Sequence, residues 1–193
     1  MFIISILFQI IIAWLLADFI TGLVHWFEDK YLDHDKTLNF LTSIAEDNDL
    51  HHKKPTAMTQ SSGWTNMKSG FVIGTPVAII AWFFGAPLWL WLACFFSGFG
   101  NLIHRWSHIP ERKLNPLIRG MQKVGLFISH AHHDSHHRSM AKLIPKHLSG
   151  YRFCPMTDWV NPVLDYFKFW TRLAWLLSKF GLHTIEKLKQ QQQ

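Results

Sequence analysis

From residue 2 to residue 17 the chain carries no charge, and its only polar side chains are Ser5 and Gln9. The apolar pattern runs on through Phe19-Ile20-Thr21-Gly22-Leu23-Val24. Phe2 to about Phe27 is therefore predicted as one helix, long enough to cross a hydrocarbon core of about 30 Å. A signal peptide would open with a positive segment, but no Lys or Arg precedes Lys30. Tyr31–Lys68 is polar and predicts a surface segment with short helices. Gly70–Ile103 is apolar and uncharged, too long for one crossing. The turn signal Gly85-Ala86-Pro87 divides it. This predicts two spans, about 68–84 and 87–107, joined as a helical hairpin. Beyond them, 114–128 is predicted as an amphipathic helix at the membrane interface. Val163–Leu182 mixes Trp, Phe and Leu with Lys168, Arg172 and Lys179 and predicts a second interfacial helix. The expectation is an all-α integral-membrane bundle, with about three transmembrane spans plus interfacial helices. Residues 1–189 form one domain, and 190–193 form a disordered glutamine tail.

Composition supports contact with lipid. Charged residues make up 17% of the chain, against about 25% in a typical soluble domain. Cys94 and Cys154 give neither a disulfide framework nor a CxxC pattern. All 19 Lys and Arg residues lie within or beside Tyr31–Lys68 and His104–Gln193, which three spans place on one side. The positive-inside rule makes that side cytoplasmic, in a bacterial inner membrane or the endoplasmic reticulum. A plastid is not expected, because no Ser- and Arg-rich transit peptide precedes the first span. The net charge of +6 then faces anionic headgroups rather than nucleic acid.

The 13 histidines supply the candidate chemistry. Their clusters are His25-Trp-Phe-Glu-Asp29, His51-His52, Asn101-Leu-Ile-His104-Arg-Trp-Ser-His108 and His130-Ala-His132-His133-Asp-Ser-His136-His137. Positions i and i+4 share a helix face. His25 thus stands over Asp29, His104 over His108, His132 over His136, and His133 over His137. All four clusters fall on the predicted cytoplasmic side. So many imidazoles without a cysteine exceed what one tetrahedral metal can use, and they point to a two-metal, oxygen-activating centre. Iron is the default metal for that chemistry, and imidazole also suits zinc, copper and nickel. Asp29 and Asp134 are candidates to orient histidines. Asn101 lies one turn before His104, and Asp18 is a carboxyl inside an apolar helix, where such groups are usually functional. Arg105, Arg138 and Lys142 are candidates for binding a lipid headgroup.

The ordered motifs Ala17–Asp29, His51-His52-Lys53-Lys54-Pro55, Asn101–His108 and His132–His137 resemble those of a lipid desaturase family. Tyr151–Asp165 looks like its Tyr-x-x-x-Thr-x-x-Trp-x-Asn segment. That family includes plasmanylethanolamine desaturase and the plant plastid desaturase of phosphatidylglycerol. The family's Arg-Glu-His-His run reads Asp49-Leu50-His51-His52 here. The resemblance implies a non-haem diiron centre and removal of two hydrogens from a phospholipid alkyl or acyl chain. Dioxygen would be the co-substrate, with electrons from a separate cytochrome b5- or ferredoxin-type donor. The implied ligands are His25, His51, His52, His104, His108, His132, His133, His136 and His137. Competing readings are a diiron lipid hydroxylase, a membrane zinc hydrolase, and a non-enzymatic metal-binding or transport protein.

Overall fold

The computed structural model describes residues 2–33, 39–141 and 151–190. Those residues form helices, turns and loops, with no strand among them. Helix α1 runs Phe2–Tyr31 without a break. By length and composition it is the one helix among the described residues that is long and apolar enough to cross a membrane. Its 30 residues span about 45 Å. Its N-terminal turns leave Phe2, Ile3, Ile4, Leu7, Phe8 and Ile11 exposed, whereas Ala17, Asp18, Gly22, His25 and Trp26 are buried. One end of α1 thus presents apolar side chains outward, and the other enters the protein interior.

Helix α2 (Asn39–Lys53) carries His51 and His52 in its last turn. A 3₁₀ turn, Pro55–Thr59, leads to α3 (Gly63–Phe83), whose cap Ser62 accepts from the Thr65 N–H. The expected hairpin turn is present, with Gly85 in the left-handed region at φ 62°. Helix α4 (Leu88–Ser97) lies very close to α3. A Cβ at Gly74 would stand 2.9 Å from the Cys94 carbonyl oxygen, and one at Gly70 would stand 2.9 Å from that of Ser97.

The expected continuous span 87–107 is instead two helices, α4 and α5 (Gly100–Ser107). The break has a tertiary cause: the Phe71 ring lies 2.5 Å from where a Gly98 Cβ would be. The chain there makes tight bonds from Gly98 N–H to Phe95 O and from Phe99 N–H to Phe96 O. The expected helix 114–128 shortens to α6 (Pro116–Lys123). Gly125, left-handed at φ 73°, ends it in the manner of a helix C-cap. Residues 125–128 then run beside 156–158, through Ile128 N–H to Met156 O at 2.7 Å and Asp158 N–H to Gly125 O at 3.1 Å. Helix α7 is His130–Met140. The expected helix 163–182 is likewise divided, into α8 (Val160–Tyr166) and α9 (Phe169–Lys179). Lys168 between them takes φ 51°. Helix α10 covers Ile185–Gln190, so Gln190 is helical, and the remainder of the expected tail lies outside the described residues.

Two buried apolar clusters hold these elements together. Ala17, Ile103, Ile128 and Met156 form one, flanked by Trp14, Phe96, Phe99, Trp106 and Phe127. Trp26, Phe153, Cys154 and Trp170 form the other. Each joins α1 to the segment 151–158, which passes along α1 so closely that a Cβ at Gly22 would lie 2.6 Å from Cys154 Sγ.

Candidate metal centre

Four helices bring histidines to one place, and the donors form two adjacent sets. The first is His51, His104, His108, His133 and His137, and the second is His25, Asp29, His52 and His136. Within each set the donor atoms lie within 4.8 Å of one another. The sets touch: the rings of His25 and His104 are 5.1 Å apart, and those of His52 and His137 are 4.9 Å apart. Consecutive helical residues point about 100° apart. The pair His51-His52 therefore gives one side chain to each set, and so does His136-His137.

In the first set three Nε2 atoms converge, with His133 Nε2 lying 2.6 Å from that of His104 and 3.0 Å from that of His137. A neutral imidazole has one N–H and one lone pair, so His133 Nε2 can make a full hydrogen bond to at most one of its two neighbours. Both nitrogens of His51, Nε2 of His108 and Nδ1 of His133 and His137 are buried without a hydrogen-bond partner. Burial, reinforced by neighbouring histidines, holds the imidazoles of His51, His133 and His137 well below their ordinary pKa. They are neutral at pH 7, the state in which imidazole binds metal.

The second set is polarised by backbone carbonyls. His25 Nδ1 donates to Phe153 O at 3.0 Å, and His136 Nδ1 donates to Tyr151 O at 2.7 Å. Each Nε2 is then the lone-pair nitrogen. These atoms face Asp29 Oδ2 at 3.7 and 3.3 Å, and all three are buried without a hydrogen bond. A carboxylate oxygen opposite two lone pairs is repulsive unless a cation lies among them. Such groups normally find a partner when buried, so this donor chemistry fits a metal ion. Asp29 Oδ1 also accepts from Asn48 Nδ2 at 3.0 Å and lies 2.7 Å from His52 Nε2. Burial lowers the His52 pKa, but Asp29 more than offsets this and raises it.

The remaining expected site residues lie elsewhere. His132 belongs to neither set: its Nε2 lies 3.2 Å from Asn161 Nδ2 and its Nδ1 lies 3.4 Å from Asp158 Oδ1. Asp29, read as an orienting group, is itself among the donors. Asp134 pairs with Arg138 at 3.0 Å on the surface, away from the histidines. Asn101 bonds Ser69 Oγ, tying α5 to α3. Arg105 donates to Ser61 O and Thr59 O, so its guanidinium holds the loop before α3 rather than standing free for a headgroup. Lys142 lies outside the described residues. Asp18 contacts no histidine; its carboxyl accepts from Met156 N–H at 2.8 Å and from Thr157 Oγ1 at 2.6 Å.

That last contact exposes a group of residues to which the sequence assigned no role. Segment 151–161 forms a strap across α1. Asp18 pins its middle, and Asn161 brackets Cys154, accepting from its N–H at 2.9 Å and donating to its carbonyl at 2.8 Å. Asp158 caps α7 by accepting from Ser129 N–H and Ser129 Oγ. The strap presents the Tyr151 and Phe153 carbonyls to His136 and His25. The Thr-x-x-Trp-x-Asn spacing was the available signal, but nothing in it indicates which backbone oxygens it would position.

A family model described as the lipid desaturase domain matches residues 14–184. The chain is 31% identical over 164 residues to fatty acid desaturase 4-like 2, chloroplastic, of Arabidopsis thaliana, covering 79% of this chain and 53% of that protein. It is 30% identical over 181 residues to plasmanylethanolamine desaturase 1 of Mus musculus, covering 85% and 62%. It is 27% identical over 181 residues to the plasmanylethanolamine desaturase of Myxococcus xanthus, covering 90% and 60%. The chain thus spans about half the length of the plant relative and under two thirds of the other two. No solved structure matches it.

Proposed function

The chain belongs to the lipid desaturase family, and from that premise we propose that it is a membrane diiron enzyme. It introduces a double bond into an alkyl or acyl chain of a phospholipid, in the manner of a plasmanylethanolamine desaturase that forms a vinyl ether. The observation that carries this reading is the pair of adjacent, buried donor sets, in which His25 Nε2, His136 Nε2 and Asp29 Oδ2 on one side, and both His51 nitrogens and His108 Nε2 on the other, are buried without a hydrogen-bond partner.

His51, His104, His108, His133 and His137 would hold one iron, and His25, Asp29, His52 and His136 the other. Bound there, the two ions would supply the oxidising power that dioxygen needs to remove hydrogen from an unactivated chain, chemistry beyond any side chain. The overall change removes two hydrogens from the lipid and reduces dioxygen to two waters, with two electrons delivered one at a time by an external cytochrome b5- or ferredoxin-type donor and two protons taken from solvent. The protein's own part is positional. The carbonyls of Tyr151 and Phe153 keep the protons of His136 and His25 on Nδ1 and leave each Nε2 free. The burial of both sets excludes bulk water. Asp29 supplies one negative charge, so the second set compensates more of a cation's charge than the first.

The reading includes a membrane topology. The apolar length of α1 and the exposed apolar side chains of α3 and α4, among them Val72, Val77, Trp82, Phe83 and Phe95, support a bundle of three spans. The Lys and Arg distribution favours the cytoplasm for the histidine-bearing ends.

Lipid mass spectrometry of a host with an intact electron-donor chain tests this, comparing the natural sequence with His104→Ala. The expected result is a lipid lighter by two hydrogens, absent with the variant. A gain of one oxygen would instead identify a hydroxylase, and unchanged host lipids would overturn the proposal.

A further inference from the structure

An open groove of about 430 Å³ lies beside α1, lined by Ile10, Ile11, Trp14, Leu126, Phe127 and Trp159. Every lining side chain is apolar, and the volume falls within the usual range of small-molecule sites, about 300–1,000 Å³. Two features show that it is a built surface. A non-helical segment forms one wall, and backbone hydrogen bonds between 125–128 and 156–158 hold it in place. Unpaired backbone would be unstable in an apolar setting, so this pairing suits a loop at membrane depth. Gly125 makes room for the indole of the other wall: a Cβ there would stand 2.7 Å from Trp159 Nε1. Trp14, on the opposite side, packs edge-on against Phe96 at 5.2 Å.

The position of the groove identifies its occupant. Ile10, Ile11 and Trp14 stand 11 to 15 residues before His25 on a single helix, or roughly 16–22 Å along its axis. They lie on the side of α1 that leads away from the metal-bearing turn and towards its exposed apolar end. Behind the lining residues Trp14 and Phe127 packs the buried cluster Ala17, Ile103, Ile128 and Met156, and Ile103 directly precedes His104. A molecule in contact with both regions must be long, apolar and open to the bilayer.

We propose that this groove binds the distal hydrocarbon tail of the phospholipid substrate, and that Ile11, Trp14, Phe127 and Trp159 set which tail lengths are accepted. This rests on the lipid desaturase reading and adds a specificity site to it. Contacts remote from the reacting carbons hold the chain in register at the centre, and such binding energy supports positioning at the reacting atoms.

The test has two arms. The full chain in lipid nanodiscs is exposed to a phosphatidylethanolamine carrying a photoreactive diazirine near the end of one tail. Labelling of the Ile10–Trp14 and Leu126–Phe127 peptides should saturate as the probe's mole fraction rises, and Ile11→Trp should abolish the saturable part. Labelling at Phe83, 77% exposed outside the groove, should rise linearly. In the second arm the tail lengths of unsaturated host lipids are compared. Ile11→Trp should favour shorter tails, changing the ratio of long to short products by roughly tenfold, the lower end of what a mismatch of one methylene costs in an apolar pocket. Ile11→Ala should shift the ratio the other way, and Ile80→Trp, exposed on α3, should leave it unchanged. Ile11 is itself 55% exposed, so these changes spare the core. Linear labelling at both peptides, or an unchanged tail profile in both Ile11 variants, overturns the groove as a tail site. Saturable labelling in a chain that leaves host lipids unaltered instead supports the groove and counts against the desaturase reading.

Discussion

Replacing Asp18 by Ala should loosen the metal centre from a distance. Asp18 is fully buried and touches no candidate ligand, but its carboxyl anchors the middle of the strap to α1. Its loss leaves the Met156 N–H and the Thr157 hydroxyl without an acceptor in a site too tight for easy solvation. Each buried donor orphaned in this way costs about 1–3 kcal/mol, or about 2–6 kcal/mol for the pair. Removing a buried carboxyl returns part of that cost, which places the expectation in the lower half of the range. For a chain of this size about 1 kcal/mol moves the unfolding midpoint by roughly 2–4 °C. The apparent midpoint should therefore fall by roughly 4–16 °C. The strap also carries the carbonyls that face His25 and His136, so metal per chain, measured by mass spectrometry of the purified protein, should fall below that of the natural sequence. Thr157→Val should reproduce part of the loss and Thr157→Ser should restore it. An Asp18→Ala chain with an unchanged midpoint and full metal content would refute the strap as the element that shapes the second donor set.

Two further predictions concern the histidines. His132→Ala should retain most of the bound metal and His133→Ala should lose it, because only His133 lies in a donor set; equal losses in the two variants would contradict the division. The metal-free protein should be acid-labile. Burial holds His51 down at about 2 and, against the opposing pull of Asp158, His132 at about 4; burial, with smaller contributions from neighbouring histidines, also lowers His133 and His137. The unfolded chain, near the ordinary value of about 6.5, then binds more protons below that pH. Stability is complete above it and falls as pH drops, by about 1.4 kcal/mol per histidine per pH unit. A melting midpoint that stays flat from about pH 7.5 to about pH 5.5 would rule this out.

Much of this architecture could be read from the chain because the relevant signals are local. The uncharged run from Phe2, the turn at Gly85–Pro87 and the four histidine clusters are each written in contiguous residues. The breaks in the other expected helices could not be read in the same way. Gly98 sits in an apolar run where a helix tolerates glycine, and it matters because Phe71, from another helix, lies against it. Lys168 gives no sign in sequence of its left-handed φ. Arg105 looked free to bind a headgroup because its two carbonyl acceptors come from Thr59 and Ser61, distant in the chain.

The histidines of α7 show where local periodicity stops being informative. Spacing alone makes His132/His136 and His133/His137 equivalent pairs. Around the helix axis, taking His132 as zero, His136 lies at about 40°, His133 at about 100° and His137 at about 140°. A site that receives His51, His104 and His108 from one side and His25, Asp29 and His52 from the other needs α7 to present an arc, not a single line. The arc from His136 to His137 is filled, with His133 between them, and His132 falls beyond its edge. Only the docking angle of α7 determines which end of the row is left out, and that angle is held by Asp158 at its N-terminus and by the Tyr151 carbonyl on His136. His132 then takes up the two strap residues nearest to it, Asp158 and Asn161. His132, the one member of the two i, i+4 pairs that is excluded from the donor sets, thus contacts the strap that orders them, so the same segment accounts both for the geometry of the centre and for that exclusion.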